Sequence, residues 1–289
     1  MKPTLDLSRF LCGGAAALCL LCTSYALDPN RTPSQYSRER WTNEGEFPGG
    51  PVHAISQTPD GYLWIGTDTG LIRFDGFSFR VVPLSPLIPT PNTPVLGLTT
   101  DVDGNLLIRL QGAGVLRLRN GKFEIFTTGV APGSSQVTAM WRDQNGHVLL
   151  SDLVGGTLIF QNGRIEQLAK PDLLPGSPPI ISLGTTPDGG VWLGTLNSGV
   201  FALAQGQAIA AAKGLPYTKI NCLLPVGANE VWVGTDGGVF RWNGTRFVEV
   251  ALPLRGNVQV LTLLHDRDAN VWVGTARGLF RINSAGTSL

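Results

Sequence analysis

Gly61-Tyr62-Leu63-Trp64-Ile65-Gly66-Thr67 decides the reading of this chain, because the chain writes it again. It returns as Gly189-Gly190-Val191-Trp192-Leu193-Gly194-Thr195, as Val231-Trp232-Val233-Gly234-Thr235 and as Val271-Trp272-Val273-Gly274-Thr275. Two degenerate copies, Leu106-Leu107-Ile108 and Val148-Leu149-Leu150, fall between the first two full ones. The marker positions 64, 107, 149, 192, 232 and 272 are 40 to 43 residues apart, a period that suits a four-stranded propeller blade.

A second block begins twelve residues before each marker: VHAI from Val52, VLGL from Val95, VTAM from Val137, IISL from Ile180, INCL from Ile220 and VLTL from Val260. Its third position is small or modest each time: Ala54, Gly97, Ala139, Ser182, Cys222 and Thr262. A strand lining the narrow axis of a radial array needs small side chains where the blades converge, so this block is the expected innermost strand. After each marker come a glycine and a third strand, such as Gly70-Leu71-Ile72-Arg73-Phe74 and Gly278-Leu279-Phe280-Arg281-Ile282. Turn dipeptides (Asp75-Gly76, Asn120-Gly121, Asn162-Gly163, Asn243-Gly244) then lead to an outer strand.

The expected fold is therefore all-β: a β-propeller of six four-stranded blades, with repeat cores near 52–82, 95–127, 137–168, 180–210, 220–250 and 260–283. The sixth unit stops at Asn283, while residues 36–41 (YSRERW) alternate like a strand ahead of the first. Joining the two ends, with this amino-terminal strand completing the last blade, would close the ring; the alternative is an open fragment of a larger propeller with exposed edges.

Composition agrees. Of 289 residues, 43% are hydrophobic and 15% charged, with 37 glycines and 20 prolines, which excludes global disorder and a coiled coil. A formal charge of +1 supplies no broad field for nucleic acid or an anionic membrane.

Residues 1–26 read as a signal peptide: Lys2 and Arg9 form a basic start, residues 10–22 (FLCGGAAALCLLC) an apolar run, and Ser24-Tyr25-Ala26 a cleavage site. The run is shorter than the roughly 20 residues of a spanning helix, and Leu18 and Leu21 before Cys19 and Cys22 are too large for a lipobox. The expectation is cleavage after Ala26, a periplasmic or secreted domain over 27–289, and no membrane span after cleavage. Cleavage leaves 20 basic and 20 acidic residues and one cysteine, Cys222, so no intrachain disulfide can form. Cys222 reads as a small core residue rather than a reactive thiol.

The pattern D-G-x-L-W-I-G-T-x-x-G-L-x-R-F-D, from Asp60 to Asp75, resembles the two-component regulator propeller repeat, and residues 41–57 (WTNEGEFPGGPVHAISQ) resemble the opening of such sensors. The resemblance covers about residues 36–283. Copies two and three depart from it, with Arg109 and Ser151 at the glycine position and no tryptophan at the marker. It implies the exported ligand-sensing part of hybrid histidine kinases and related regulators. There such repeats usually form two seven-bladed arrays, followed by a small β-domain, a membrane helix and a cytoplasmic kinase, and the stimulus is often a carbohydrate or another extracellular nutrient. This chain has six repeats, no second hydrophobic span after residue 26 and no room for a kinase. A signalling protein partner would then carry the message onward.

Identical placement of Trp64, Trp192, Trp232 and Trp272 argues for packing between blades over stacking on a sugar. The loops from Asp101, Asp143 and Asp266 look like fragments of calcium loops but lack a bidentate carboxylate, so capped turns are the better reading and no metal or other cofactor is expected. His53, His147 and His265 occupy different register positions, and although His265 beside Asp266 is the most tempting pair, no catalytic residue is assigned. Arg109 and Asp152 replace glycine and threonine in neighbouring units and are expected to pair across the blade boundary.

The expected ligand surface is the face where loops entering the inner strands meet loops joining second and third strands. It carries Asp68, Gln111, Asn197, Asp236 and Arg277, with Tyr217, Lys219 and Arg255 just before inner strands. The function expected is a non-catalytic sensing or binding propeller for a small molecule or carbohydrate. The alternatives are a protein-interaction scaffold or a piece of a larger sensor histidine kinase, with a propeller lyase behind both.

Overall fold

A computed structural model describes residues 31–288 apart from 32, 38, 43–46, 85–86, 89–91, 127–136, 154–155, 162–163, 171–172, 205–206, 212 and 284–285. The expected signal peptide and the Asn162-Gly163 turn thus lie outside the described residues, wholly or in large part. Short apolar runs punctuated by Gly, Asn and Asp favour strands and turns over helices. The described residues form 24 strands, one 3₁₀ turn at Pro33–Gln35 and no α-helix.

Blade 1 comprises β1 (Val52–Gln57), β2 (Leu63–Thr67), β3 (Gly70–Phe74) and β4 (Phe79–Val82). Blade 2 comprises β5 (Val95–Thr100), β6 (Leu106–Leu110), β7 (Gly114–Arg119) and β8 (Lys122–Ile125). Blade 3 has β9 (Val137–Arg142), β10 (Val148–Asp152), β11 (Thr157–Gln161) and β12 (Arg164–Ala169). Blade 4 has β13 (Ile180–Thr185), β14 (Val191–Thr195), β15 (Val200–Ala204) and β16 (Gln207–Ala210). Blade 5 is β17 (Ile220–Gly227), β18 (Glu230–Thr235), β19 (Val239–Trp242) and β20 (Phe247–Val250), and blade 6 is β21 (Val260–His265), β22 (Val271–Thr275), β23 (Gly278–Asn283) and β24 (Gly286–Ser288). Each is an antiparallel meander in chain order, and the six blades stand in a ring: a six-bladed β-propeller.

One register rule runs through all six. The small third residue of each inner strand faces the second residue after the marker: Ala54 with Gly66, Gly97 with Arg109, Ala139 with Ser151, Ser182 with Gly194, Cys222 with Gly234 and Thr262 with Gly274. The first inner residue of the following blade fills the space this leaves. A Cβ on Gly66 would meet Val95 Cγ1 at 2.6 Å, one on Gly194 would meet Ile220 Cγ2 at 2.6 Å, and one on Gly234 would meet Val260 Cγ1 at 2.5 Å. Glycine is required here by close approach, and each buried Val or Ile contributes about 1.5–3 kcal/mol. In blade 5, burial pushes the Cys222 thiol up to about 12, as befits a small core residue.

Blade 2 solves the same packing problem differently. Arg109 occupies the glycine position and Gly97 opposite it has no side chain, since a Cβ there would lie 2.9 Å from Arg109 Nε. The guanidinium donates to the carbonyls of Leu96 (2.8 Å) and of Val137 in blade 3 (3.3 Å). The expected Arg109–Asp152 pair is not what forms: Arg109 clamps main-chain carbonyls, while Asp152 accepts from the Gly156 amide at 2.8 Å.

Three of the four marker tryptophans pack between blades as expected, and Trp272 is only half-buried. Trp64 lies among Val95, Leu106 and Ile108 of blade 2, Trp192 among Ile220 and Val231 of blade 5, and Trp232 among Val260, Val271 and Phe280 of blade 6. Three indole N–H groups are tied down locally, Trp64 to Thr58 (2.9 Å) and Trp272 to Asp266 (2.7 Å) in the turn before the strand, and Trp232 to Glu230 (3.0 Å) at the start of its own strand.

The junction between blades 6 and 1 is different. Inner strands pack side by side from β1 through β5, β9, β13 and β17 to β21, whereas β21 and β1 do not pack in that way. The first inner residue is at most 7% exposed in blades 2 to 6, but Val52 is 49% exposed. The residue after the third-strand glycine is at most 3% exposed in blades 1 to 5, but Leu279 is 51% exposed. A Cβ on Gly274 would meet only Thr262, with nothing from blade 1.

The expected amino-terminal closing strand is corrected here. The fourth strand of blade 6 is β24, from the chain's far end, paired with β23 through Arg281, Ile282 and Asn283. The described part of residues 36–41 contains no strand. The segment touches both ends of the ring instead: Pro33–Gln35 rests on β23, and Trp41 and Phe47 set their rings 5.4 and 5.3 Å from that of Phe79 in blade 1.

Candidate functional site

The loop face is built from the ends of inner strands and the turns after the marker Gly-Thr. In blades 1, 4, 5 and 6 the marker threonine hydroxyl donates back across that turn, from Thr67 to Gly70 O, Thr195 to Gly199 O, Thr235 to Gly238 O and Thr275 to Gly278 O. This fixes the turn and presents the residues between: Asp68, Asn197, Asp236 and Arg277, all exposed.

At blades 5 and 6 the face becomes a connected polar cluster. Asp236 accepts from Asn221 Nδ2 (2.9 Å), from Gln259 Nε2 of the blade-6 approach (2.9 Å) and from Lys219 Nζ (3.3 Å). These hydrogen bonds, Asn221 first, hold its carboxyl below the ordinary range. Asn221 also donates to Val260 O at 3.0 Å, so the cluster straddles the blade boundary. Arg277 Nη1 donates to the Arg255 carbonyl at 2.8 Å, which places both arginines on the same side of blade 6.

Of the eight expected residues, the structure brings Lys219 and Asp236 into contact and sets Arg255 against Arg277. Tyr217 is half-buried, its ring 6.0 Å from that of Phe240, and it overlies Gly237 so closely that no Cβ fits there. Its ring is therefore part of the packing. Asp68 in blade 1 is bonded to His53 at 2.5 Å, whereas Gln111 and Asn197 stand apart, exposed in blades 2 and 4. Asn221, Gln259 and His53 belong to the face and are absent from the expected set. A signal existed for two of them: Asn221 and His53 put polar groups at the second inner-strand position, where blades 2, 4 and 6 have Leu96, Ile181 and Leu261.

The opposite face holds the Asp-rich turns. Asp101 Oδ1 accepts from the amides of Asp103 (3.0 Å) and Asn105 (2.9 Å), and Asp143 and Asp266 cap their turns in the same way. This is the capped-turn reading, with the carboxylates occupied by the backbone. Asp266 also serves Asn270 and Trp272, so its hydrogen bonds are directed away from His265. Two adjoining clefts of about 490 Å³ each lie at this end between blades 1 and 2, sharing Thr58, Pro59, Asp103 and Gly104.

Comparison with known proteins adds three observations. Residues 46–69 match the model of the two component regulator propeller. The search of curated proteins found no match to this chain. Among solved structures, virginiamycin B lyase from Staphylococcus aureus is 14% identical with a TM-score of 0.66, covering 81% of this chain and 82% of its own. YCF48 from Cyanidioschyzon merolae is 12% identical with a TM-score of 0.60, covering 80% and 82%. PorZ of the Porphyromonas gingivalis type-IX secretion system is 17% identical with a TM-score of 0.59, covering 79% of this chain and 38% of its own. At such identities these likenesses speak to fold alone. The matched stretch, residues 46–69, holds the marker of blade 1, and the same marker returns in blades 4, 5 and 6 of this six-bladed propeller.

Proposed function

We propose that this propeller is an exported, non-catalytic ligand-binding module of the sensor type, which recognises a small molecule or carbohydrate on its loop face and signals through a partner protein. The observation that carries the reading is the cluster at blades 5 and 6. Asp236, Asn221, Gln259 and Lys219 present a fixed carboxylate, amides and an ammonium at a blade boundary, beside Arg255 and Arg277. Such a set of donors and acceptors on a rigid frame suits hydroxyl-rich ligands, which need several directed hydrogen bonds at once. The use of Asp266 in its own turn supports a non-catalytic reading, because His265 lacks the oriented carboxylate that general-base chemistry calls for.

The test is a thermal melt with and without a panel of oligosaccharides. A ligand at about 100 times its dissociation constant adds roughly 2.7 kcal/mol, enough to raise the midpoint visibly. Asp236→Ala is expected to abolish that rise while leaving the ligand-free midpoint within a degree or two. A panel that moves nothing would favour the scaffold, and turnover of any compound would overturn the non-catalytic reading.

A further inference from the structure

The end of each third strand faces the start of the fourth, and three such pairs can be compared: Phe74 with Phe79 in blade 1, Leu118 with Phe123 in blade 2 and Trp242 with Phe247 in blade 5. In blade 5 the pair meets the marker of the preceding blade, with the Trp242 ring 5.7 Å from that of Trp192 and 5.1 Å from that of Phe247. In blade 1 the pair takes up a third ring, Trp41, 5.8 Å from Phe74 and 5.4 Å from Phe79. In blade 2 the position of Trp242 is held by Leu118, which is smaller than an indole. A cleft of about 490 Å³ opens there against Trp64, Leu118 and Phe123, the counterparts of Trp192, Trp242 and Phe247. Two aromatic rings and a leucine thus border a slot of the kind that elsewhere in this molecule takes one more ring, and aromatic groups gain from such packing beyond the area they bury.

The slot is preformed and its rim is charged. A Cβ on Gly104 would lie 2.5 Å from Pro59 Cγ, so the turns of blades 1 and 2 that line the cleft already touch. From blade 1 comes Arg73, its guanidinium 4.3 Å from the centre of the Tyr62 ring. That cation–π contact holds the group without using its N–H donors. From blade 2 comes Asp103, whose amide is bound by Asp101 but whose exposed carboxylate accepts nothing. Among the described residues neither charged group has an ion-pair or hydrogen-bond partner. One unpaired cation and one unpaired anion therefore border the same aromatic slot, from adjacent blades.

We propose that this cleft binds a free aromatic amino acid, with its ring in the slot on Trp64, Leu118 and Phe123, its α-carboxylate on Arg73 and its α-ammonium on Asp103. Ring burial supplies the hydrophobic term, and the guanidinium fork matches the two oxygens of a carboxylate. The cleft lies on the face opposite Asp236 and between other blades, so the inference does not rest on the site at blades 5 and 6.

The test is calorimetric titration and thermal melting of the full chain with tryptophan, with indole-3-propionate (no ammonium), tryptamine (no carboxylate) and leucine (no ring) as controls. Tryptophan is expected to saturate at one equivalent and raise the melt, indole-3-propionate and tryptamine each to bind about tenfold more weakly, and leucine to do nothing. Arg73→Gln should bring tryptophan down to the affinity of tryptamine, and Asp103→Asn to that of indole-3-propionate. Leu118→Trp supplies the ring that blade 5 has, and should abolish binding while keeping or raising the ligand-free melt. Asp236→Ala should leave tryptophan binding unchanged. Failure of tryptophan to bind, equal binding of leucine, an affinity untouched by Arg73→Gln and Asp103→Asn, or binding lost in Asp236→Ala would overturn the proposal. A melt moved by a sugar but not by tryptophan would overturn this inference and leave the sensor reading standing.

Discussion

Val260 and Val52 are the same residue at the same place in the repeat, yet one is fully buried and the other half-exposed. Val260 fits the space above Gly234, walled by Cys222, while the corresponding space above Gly274 receives nothing from blade 1. The difference is in the neighbour and not in the blade. In a propeller each blade is complete in its hydrogen bonds, but its two faces are finished only by the next blade on either side. Five junctions supply that neighbour and the sixth is bridged at its rim, by a segment that touches β23 at one end and Phe74 and Phe79 at the other.

Matched pairs of substitutions, one at a sealed junction and one at the seam, are the way to break this comparison. The largest difference is expected between Leu71→Ala and Leu279→Ala. The first removes a fully buried side chain and should cost about 2–5 kcal/mol, the second about 1 kcal/mol or less, both read by urea unfolding. Next comes Gly234→Ala against Gly274→Ala. The added methyl at 234 runs into Cys222 and Val260 and should cost about 1–3 kcal/mol. At 274 it meets only the end of Thr262, which can turn aside, so the change should stay within about 1 kcal/mol of zero. Equal costs within either pair would mean that the seam is as tightly packed as the rest.

Arg109→Ala sharpens the comparison at the one junction sealed by charge. It removes two hydrogen bonds to carbonyls and leaves the Gly97 side unfilled, with an expected loss of about 1–3 kcal/mol in the same unfolding experiment. Burial lowers the guanidinium's pKa from its ordinary value, because desolvation penalises the charged form.

The smallest effect belongs to Asp236, whose carboxyl is depressed by Asn221, Gln259 and Lys219. A depressed acid contributes stability that is fully present above the unfolded value near 3.8 and is lost as pH falls through the lower folded value. Because the group is exposed, that contribution is about half a kcal/mol or less, and a melt series between pH 7 and 2 on the protein and on Asp236→Asn should differ only at the acid end.

Much of the fold was legible in the sequence because the repeat encodes each blade locally. The block starts at 52, 95, 137, 180, 220 and 260 are the first residues of the six inner strands. What the repeat does not encode is how its two ends meet. Blades 1 and 6 carry the same marker as blades 4 and 5, so no residue pattern distinguishes a sealed face from an open one. The polar Gly286-Thr287-Ser288 has no strand signature of its own, and only pairing with β23 makes it one. The loop face was legible in outline, since the approaches to the inner strands and the turns after the markers lie together, with Lys219 against Asp236. Gln259 escaped notice because its role depends on blade 6 lying beside blade 5, a contact between successive units that the spacing of neither one reveals.

The open seam is tested most directly by thiol labelling of Val52→Cys and Val260→Cys, followed at each site by peptide mass so that Cys222 is scored separately. With the seam open, the site at 52 should label at close to the rate of an unfolded chain. The site at 260 should be protected on the order of a thousandfold, reacting only when blades 5 and 6 part. Comparable protection at both sites would contradict the account, because it would show Val52 seated against a neighbour as Val260 is.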